Sequence, residues 1–124
     1  MKIDEEVRQK LVENLQVWQR YLTREVNVYL QKMKSAQTVE ELMELKRSLL
    51  VFLIYHLPLT DTECYFCLQQ PYSDCEDCLY GKVHGTCDEK GSAFAKVMKQ
   101  VDKLVKAVQE HYWKGLDGKE AEAR

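Results

Sequence analysis

All five cysteines of this chain lie in one short window near its middle. The window runs from residue 64 to residue 87 and reads C-x2-C-x7-C-x2-C-x5-H-x2-C. Each C-x2-C turn presents two thiolates to one ion, and two such turns complete a tetrahedral site. The pattern therefore predicts that this window binds a metal.

Six side chains are candidates for the four ligand positions of such a site. The simplest set consists of the two C-x2-C pairs, which are Cys64, Cys67, Cys75 and Cys78. In the alternative sets, Cys87 replaces a member of the second pair, or His84 joins as a ligand. Zinc is the expected metal, because four thiolates form a closed structural site. The alternatives are an iron–sulfur cluster, which four thiolates also suit, and disulfides or buried thiols without metal.

The first part of the chain is predicted to form one long helix over residues 4–34. Apolar residues recur from Val7 to Met33 at spacings of 4, 4, 3, 4, 4, 3 and 4. This eleven-residue period is close to that of a straight α-helix. Asp4 is the expected N-cap of this helix.

Two further helices are predicted. The sequence Thr38-Val39-Glu40-Glu41 is a capping box that begins the second helix, which is expected to end near Pro58. Its second half, residues 49–55, is apolar on every side and could also be a buried strand, but the periodicity that leads into it favours a helix. Ser92 is the expected cap of the third helix, and Gly115 is a fitting stop.

These features predict an all-α protein with three main helices and a cysteine-rich metal-binding loop, residues 59–91, between the second and the third. Residues 1–116 are expected to form a single helical domain, and residues 117–124 a charged, disordered tail. The loop has almost no apolar periodicity, so a metal is the expected source of its order. The apolar stripe of the first helix is too long for one shorter helix to cover, which predicts a homodimer.

The charge balance gives little support to nucleic-acid binding. The chain has 18 basic and 20 acidic residues, a net charge of −2. A basic stripe does follow the third helix, at Lys96, Lys99, Lys103 and Lys106. A phosphate-binding face is one interpretation of this stripe. The favoured interpretation is the solvent-exposed side of an amphipathic helix.

The remaining patterns predict a soluble, cytoplasmic protein without a membrane segment. The N-terminal residues lack the apolar core of a signal peptide, and the longest apolar run is too short for a bilayer. No catalytic motif stands out, so an enzyme is not expected. The leading hypothesis is a small intracellular binding or adaptor protein with a structural zinc site and a protein partner or second copy. An iron–sulfur or thiol redox protein and a nucleic-acid binder are the alternatives.

Overall fold

The computed structural model describes residues 1–69, 79–85, 87 and 90–115. Within these ranges the regular structure is entirely helical, which confirms the all-α class. The predicted number of three helices is wrong, because the segment predicted to be a loop contains two short helices of its own. The five α-helices are α1 (Glu5–Lys34), α2 (Val39–Tyr55), α3 (Tyr65–Gln69), α4 (Leu79–His84) and α5 (Ala93–Ala107).

The long helix α1 forms where the apolar stripe predicts it. The side chain of Asp4 accepts hydrogen bonds from the backbone N–H groups of Glu6 and Val7, at 3.0 and 3.4 Å. These bonds satisfy donors that have no partner inside the helix, so the predicted N-cap is confirmed. The 30 residues of α1 span about 45 Å at 1.5 Å per residue.

The second helix, α2, also begins at its predicted cap. The hydroxyl of Thr38 accepts a hydrogen bond from the backbone N–H of Glu41 at 3.1 Å. The carboxylate of Glu41 accepts in return from the backbone N–H of Gln37, one residue before the cap, at 3.1 Å. The apolar run at residues 49–55 continues the helix to Tyr55, three residues before Pro58. The alternative of a buried strand is therefore wrong.

A cluster of aromatic side chains joins α1 to α2. Phe52 lies at its centre, with ring centroids 6.3 Å from Tyr21, 5.7 Å from Tyr29 and 4.2 Å from His56. The indole N–H of Trp18 donates a hydrogen bond to the backbone carbonyl of His56 at 2.7 Å. Residues from the middle and second half of α1 thus meet late residues of α2, as expected for two antiparallel helices with a short connection.

The last long helix, α5, packs against α2. The hydroxyl of Ser92 accepts from the backbone N–H of Ala95 at 3.1 Å, which confirms the predicted cap. Val105 faces inward and is buried. Beyond α5 the chain continues as a π-helical turn, Val108–Tyr112, and Gly115 follows with a φ of 81°. That left-handed backbone conformation suits glycine, as expected just after a helix end.

The core of the described part of the chain is thin. Only three large apolar side chains there are buried, those of Val7, Leu49 and Val105. Fifteen large apolar side chains are at least 40% exposed, and they are spread over all the long helices. Within the described ranges, no helix combines the length and apolar character needed to cross a membrane. The predicted charged tail, residues 117–124, lies outside these ranges.

Candidate metal centre

The first cysteine pair follows an ordered turn. The backbone N–H of Thr60 donates to the carboxylate of Glu63 at 2.8 Å, and the N–H of Glu63 donates back to the Thr60 carbonyl at 3.0 Å. These bonds frame a 3₁₀ turn, Asp61–Glu63, that leads directly into Cys64. The carbonyl of Cys64 accepts from the N–H of Leu68 at 3.1 Å, which begins α3. Cys64 therefore lies at a fixed junction between the turn and the helix.

Two hydrogen bonds hold this segment against the first half of α1. The backbone N–H of Asp4 donates to the hydroxyl of Tyr65 at 2.9 Å. The side-chain amide of Asn14 donates to the carbonyl of Thr62 at 2.8 Å. The cysteine-rich segment thus folds back on the first half of α1. The homodimer inferred from the length of the apolar stripe of α1 stays a prediction.

One ring contact joins α3 to α4. The ring of Phe66 on α3 lies 6.0 Å from that of Tyr80 on α4, between centroids. Tyr80 in turn lies 4.7 Å from the ring of His84. We refer to Phe66, Tyr80 and His84 as the ring ladder. It joins the helix that carries Cys67 to the helix that follows Cys78 in sequence.

The structure places some of the predicted ligands and leaves others outside the described residues. Cys64, Cys67 and Cys87 are half-buried, and His84 is exposed. Cys75 and Cys78 lie outside the described residues. Within the described ranges, no group of three or more His, Cys, Asp or Glu side chains is arranged to hold a metal ion. The site formed by two C-x2-C pairs therefore stays a prediction, because half of its ligands fall outside these ranges.

The predicted basic stripe lies on the surface of α5. Its four lysines, Lys96, Lys99, Lys103 and Lys106, are all exposed. Val105 is buried on the inward face of the same helix. Exposure is what both interpretations of the stripe require, so it does not separate a solvated face from a phosphate-binding one.

Arg47 has a structural role that the sequence patterns did not indicate. Its guanidinium donates to the backbone carbonyls of Gln109 and Trp113, at 3.3 and 3.2 Å. It also pairs with the carboxylate of Glu44 at 2.6 Å. The i, i+3 spacing of Glu44 and Arg47 is a sequence signal for that pair. The carbonyl contacts carry no such signal, because they depend on where the end of the chain's last helix packs.

Next to Arg47 an open groove runs between α1, α2 and the π-helical turn. It is lined by Tyr29, Arg47, Ser48, Val51, Phe52, Tyr55, His56 and Gln109. Nδ1 of His56 donates to the Phe52 carbonyl at 2.8 Å, so this ring atom is engaged in holding the helix end. The lining is mainly apolar and aromatic, which suits a side chain of a partner better than a charged substrate.

The chain matches no known family model, no curated protein and no solved structure. The cysteine spacing, the contacts of the cysteine-rich segment and the exposed apolar surface are therefore the features that bear on its function.

Proposed function

We propose that the protein is a small cytoplasmic binding or adaptor module whose cysteine-rich segment is held by a structural zinc ion. In this proposal the helices present a surface to a protein partner or to a second copy of the chain. The contact between Phe66 and Tyr80 carries the proposal, since it joins a residue next to Cys67 to a residue two positions after Cys78.

The ring ladder supports the four-cysteine set through the covalent reach of the chain. Phe66 is adjacent in sequence to Cys67, and Tyr80 follows Cys78 by two residues. Two residues span at most about 7 Å between Cα atoms. A contact between these two rings is therefore compatible with a shared ion, and this compatibility supports the four-cysteine set.

A second line of support is the lack of a core in this segment. None of the described residues from 59 to 91 is buried, although several are half-buried. Helices as short as α3 and α4, with five and six residues, are not stable alone in water. A segment of this kind needs another source of order, and metal binding supplies one in small domains.

In this arrangement the role of the zinc is structural. A closed site with four protein ligands leaves no open position for a substrate. Side chains provide the other contacts of this segment: Tyr65 and Asn14 hold it to α1, and the ring ladder orients α4. The zinc would then fix the connection between α2 and α5, and thereby the surface that the helices present.

Metal analysis of protein purified without added metal tests the proposal. We expect one zinc per chain, reduced thiols and no visible absorption. The variants Cys64→Ser and Cys67→Ser should each lose zinc, whereas Cys87→Ser should keep it if the two pairs are the ligands. Visible absorption with bound iron would favour a cluster instead, and metal-free protein with oxidised thiols would favour disulfides.

Nucleic-acid binding is the second candidate, because the four exposed lysines of α5 lie at helical spacing along one helix. Phosphate contacts release counterions, so such binding weakens steeply as salt is raised. We expect the protein not to bind a mixed-sequence duplex or single strand at physiological salt. Binding that falls with salt and is lost when Lys96, Lys99, Lys103 and Lys106 are changed to Gln would support the nucleic-acid function.

A further inference from the structure

The end of the α1–α2 hairpin, residues 26–46, lies beyond the hydrogen bonds that tie other described segments to these two helices. The hydrogen bonds that hold the cysteine-rich segment to α1 lie in its first half, at Asp4 and Asn14. The hydrogen bonds between α2 and the end of the last helix are made by Arg47, just beyond this region. We refer to residues 26–46 as the hairpin tip.

Apolar side chains on the hairpin tip are open to solvent. Val28 and Leu30 on α1 are 45% and 42% exposed, and Val39 and Leu42 on α2 are 53% and 40% exposed. Two helices alone cannot cover the apolar faces of both. Exposed apolar side chains on both helices of the tip offer contact area to another protein.

The charges of the hairpin tip have both signs. Lys32 and Lys34 are exposed in the last turn of α1, and Glu40 and Glu41 are exposed in the first turn of α2. None of these four side chains forms an ion pair with another described residue. The carboxylate of Glu41 accepts a hydrogen bond from the backbone N–H of Gln37, whereas Lys32, Lys34 and Glu40 have no ion-pair partner among the described residues and are available to a neighbour.

We propose that the hairpin tip is the interface of a homodimer, in which two tips pack into a four-helix arrangement. In a twofold dimer the same patch meets itself, so residue i of one copy contacts residue j of the other and the reverse. A patch with lysines at one helix end and glutamates at the adjacent helix start satisfies this condition. A partner of unrelated sequence would more simply be matched by a patch of one sign.

This inference rests on the self-association in the proposed function and does not depend on the metal. Sedimentation of the full-length, metal-loaded protein from about 1 to 100 µM tests it. We expect a species of twice the chain mass of 14.6 kDa. The double variant Leu30→Ser/Leu42→Ser should raise the dimer dissociation constant at least about tenfold, because it removes apolar contacts at the centre of the interface.

Charge reversal tests the pairing directly. The variant Lys32→Glu/Lys34→Glu should weaken the dimer, and adding Glu40→Lys should restore part of the affinity, as a double-mutant cycle detects. Two controls match these changes in chemistry. Lys99→Glu/Lys103→Glu makes the same charge change on α5, and Val17→Ser/Val97→Ser removes exposed apolar groups away from the tip. The far-ultraviolet circular dichroism of each variant shows whether it remains helical.

The outcomes of these experiments test two claims separately: that the chain forms a dimer, and that the hairpin tip is its interface. A wild-type protein that stays monomeric at 100 µM overturns both the self-association and the hairpin-tip interface. If the tip variants leave the dimer dissociation constant unchanged, or if the control variants raise it as much, the hairpin tip is not the interface, although the chain does self-associate. Weakening without any rescue by Glu40→Lys overturns the proposed charge pairing.

Discussion

The α1–α2 hairpin and the cysteine-rich segment obtain their order in different ways. The hairpin joins helices of 30 and 17 residues, each with a side-chain N-cap, through a cluster of aromatic rings in tilted contact. The segment contains helices of five and six residues and is tied to α1 by two hydrogen bonds. Long amphipathic helices bury apolar area as they form, whereas single turns gain too little to offset their ordering.

This difference shows where a ligand matters most. The aromatic cluster makes the hairpin largely independent of anything bound to the chain. The cysteine-rich segment depends on its anchors and, in the proposed function, on zinc. A change made in the hairpin should therefore leave the order of the cysteine-rich segment unaffected, and a change in that segment should leave the hairpin folded.

Metal removal should have the largest effect, and it should be confined to the cysteine-rich segment. Structural zinc binds zinc-finger peptides with an apparent free energy of about 10–16 kcal/mol. Treatment with a chelator under reducing conditions should expose residues 60–90 to protease while most of the helical circular dichroism persists. Limited proteolysis with mass spectrometry locates the cuts. Complete loss of helical signal would contradict the independence of the hairpin.

The next largest effect is expected for Leu49→Ala, which leaves a cavity under the hairpin. Leu49 is 8% exposed, and truncation of a buried leucine costs about 2–5 kcal/mol. Urea unfolding followed by circular dichroism should show this loss. The matched control is Leu104→Ala on α5, since Leu104 is 50% exposed and should cost far less. Equal losses in the two variants would show that the thin core contributes little to stability.

A smaller loss in the free energy of unfolding is expected for Trp18→Phe in the same hairpin. The change leaves the His56 carbonyl without its indole donor at 2.7 Å, and an unsatisfied, partly buried polar group costs about 1–3 kcal/mol. The urea midpoint should fall, while zinc content should stay at the wild-type value. Loss of zinc in this variant would mean that the two regions are coupled after all.

The smallest effect is expected for Tyr65→Phe, and it should appear only in the cysteine-rich segment. The variant removes the acceptor for the Asp4 N–H, a bond worth about 0.5–1.5 kcal/mol. Hydrogen exchange should speed up for amides of residues 64–69, with the urea midpoint of the hairpin unchanged. Tyr55→Phe is the control, because Tyr55 is 62% exposed and forms no such anchor. Equal exchange in the two variants would argue against this anchor.

The long helices and their caps were predictable from sequence because their causes are local. Asp4, Thr38 and Ser92 each cap the helix that follows within three residues, so a short stretch of sequence contains the whole signal. The helices α3 and α4 were not predictable, since five or six residues show no helical period. The contact between Phe66 and Tyr80 joins residues that local patterns cannot relate.

The sequence by itself determined the all-α class and the three long helices, because periodicity and caps are properties of neighbouring residues. For the same reason it predicts a metal site in the cysteine window, since ligand types and spacing are also local. Only the tertiary structure decided that the cysteine-rich segment returns to α1, and that Arg47 binds carbonyls at the far end of the chain. It also decided which apolar side chains remain exposed at the hairpin tip. These outcomes depend on contacts between residues about 50 or more positions apart, where packing and not local preference sets the free energy.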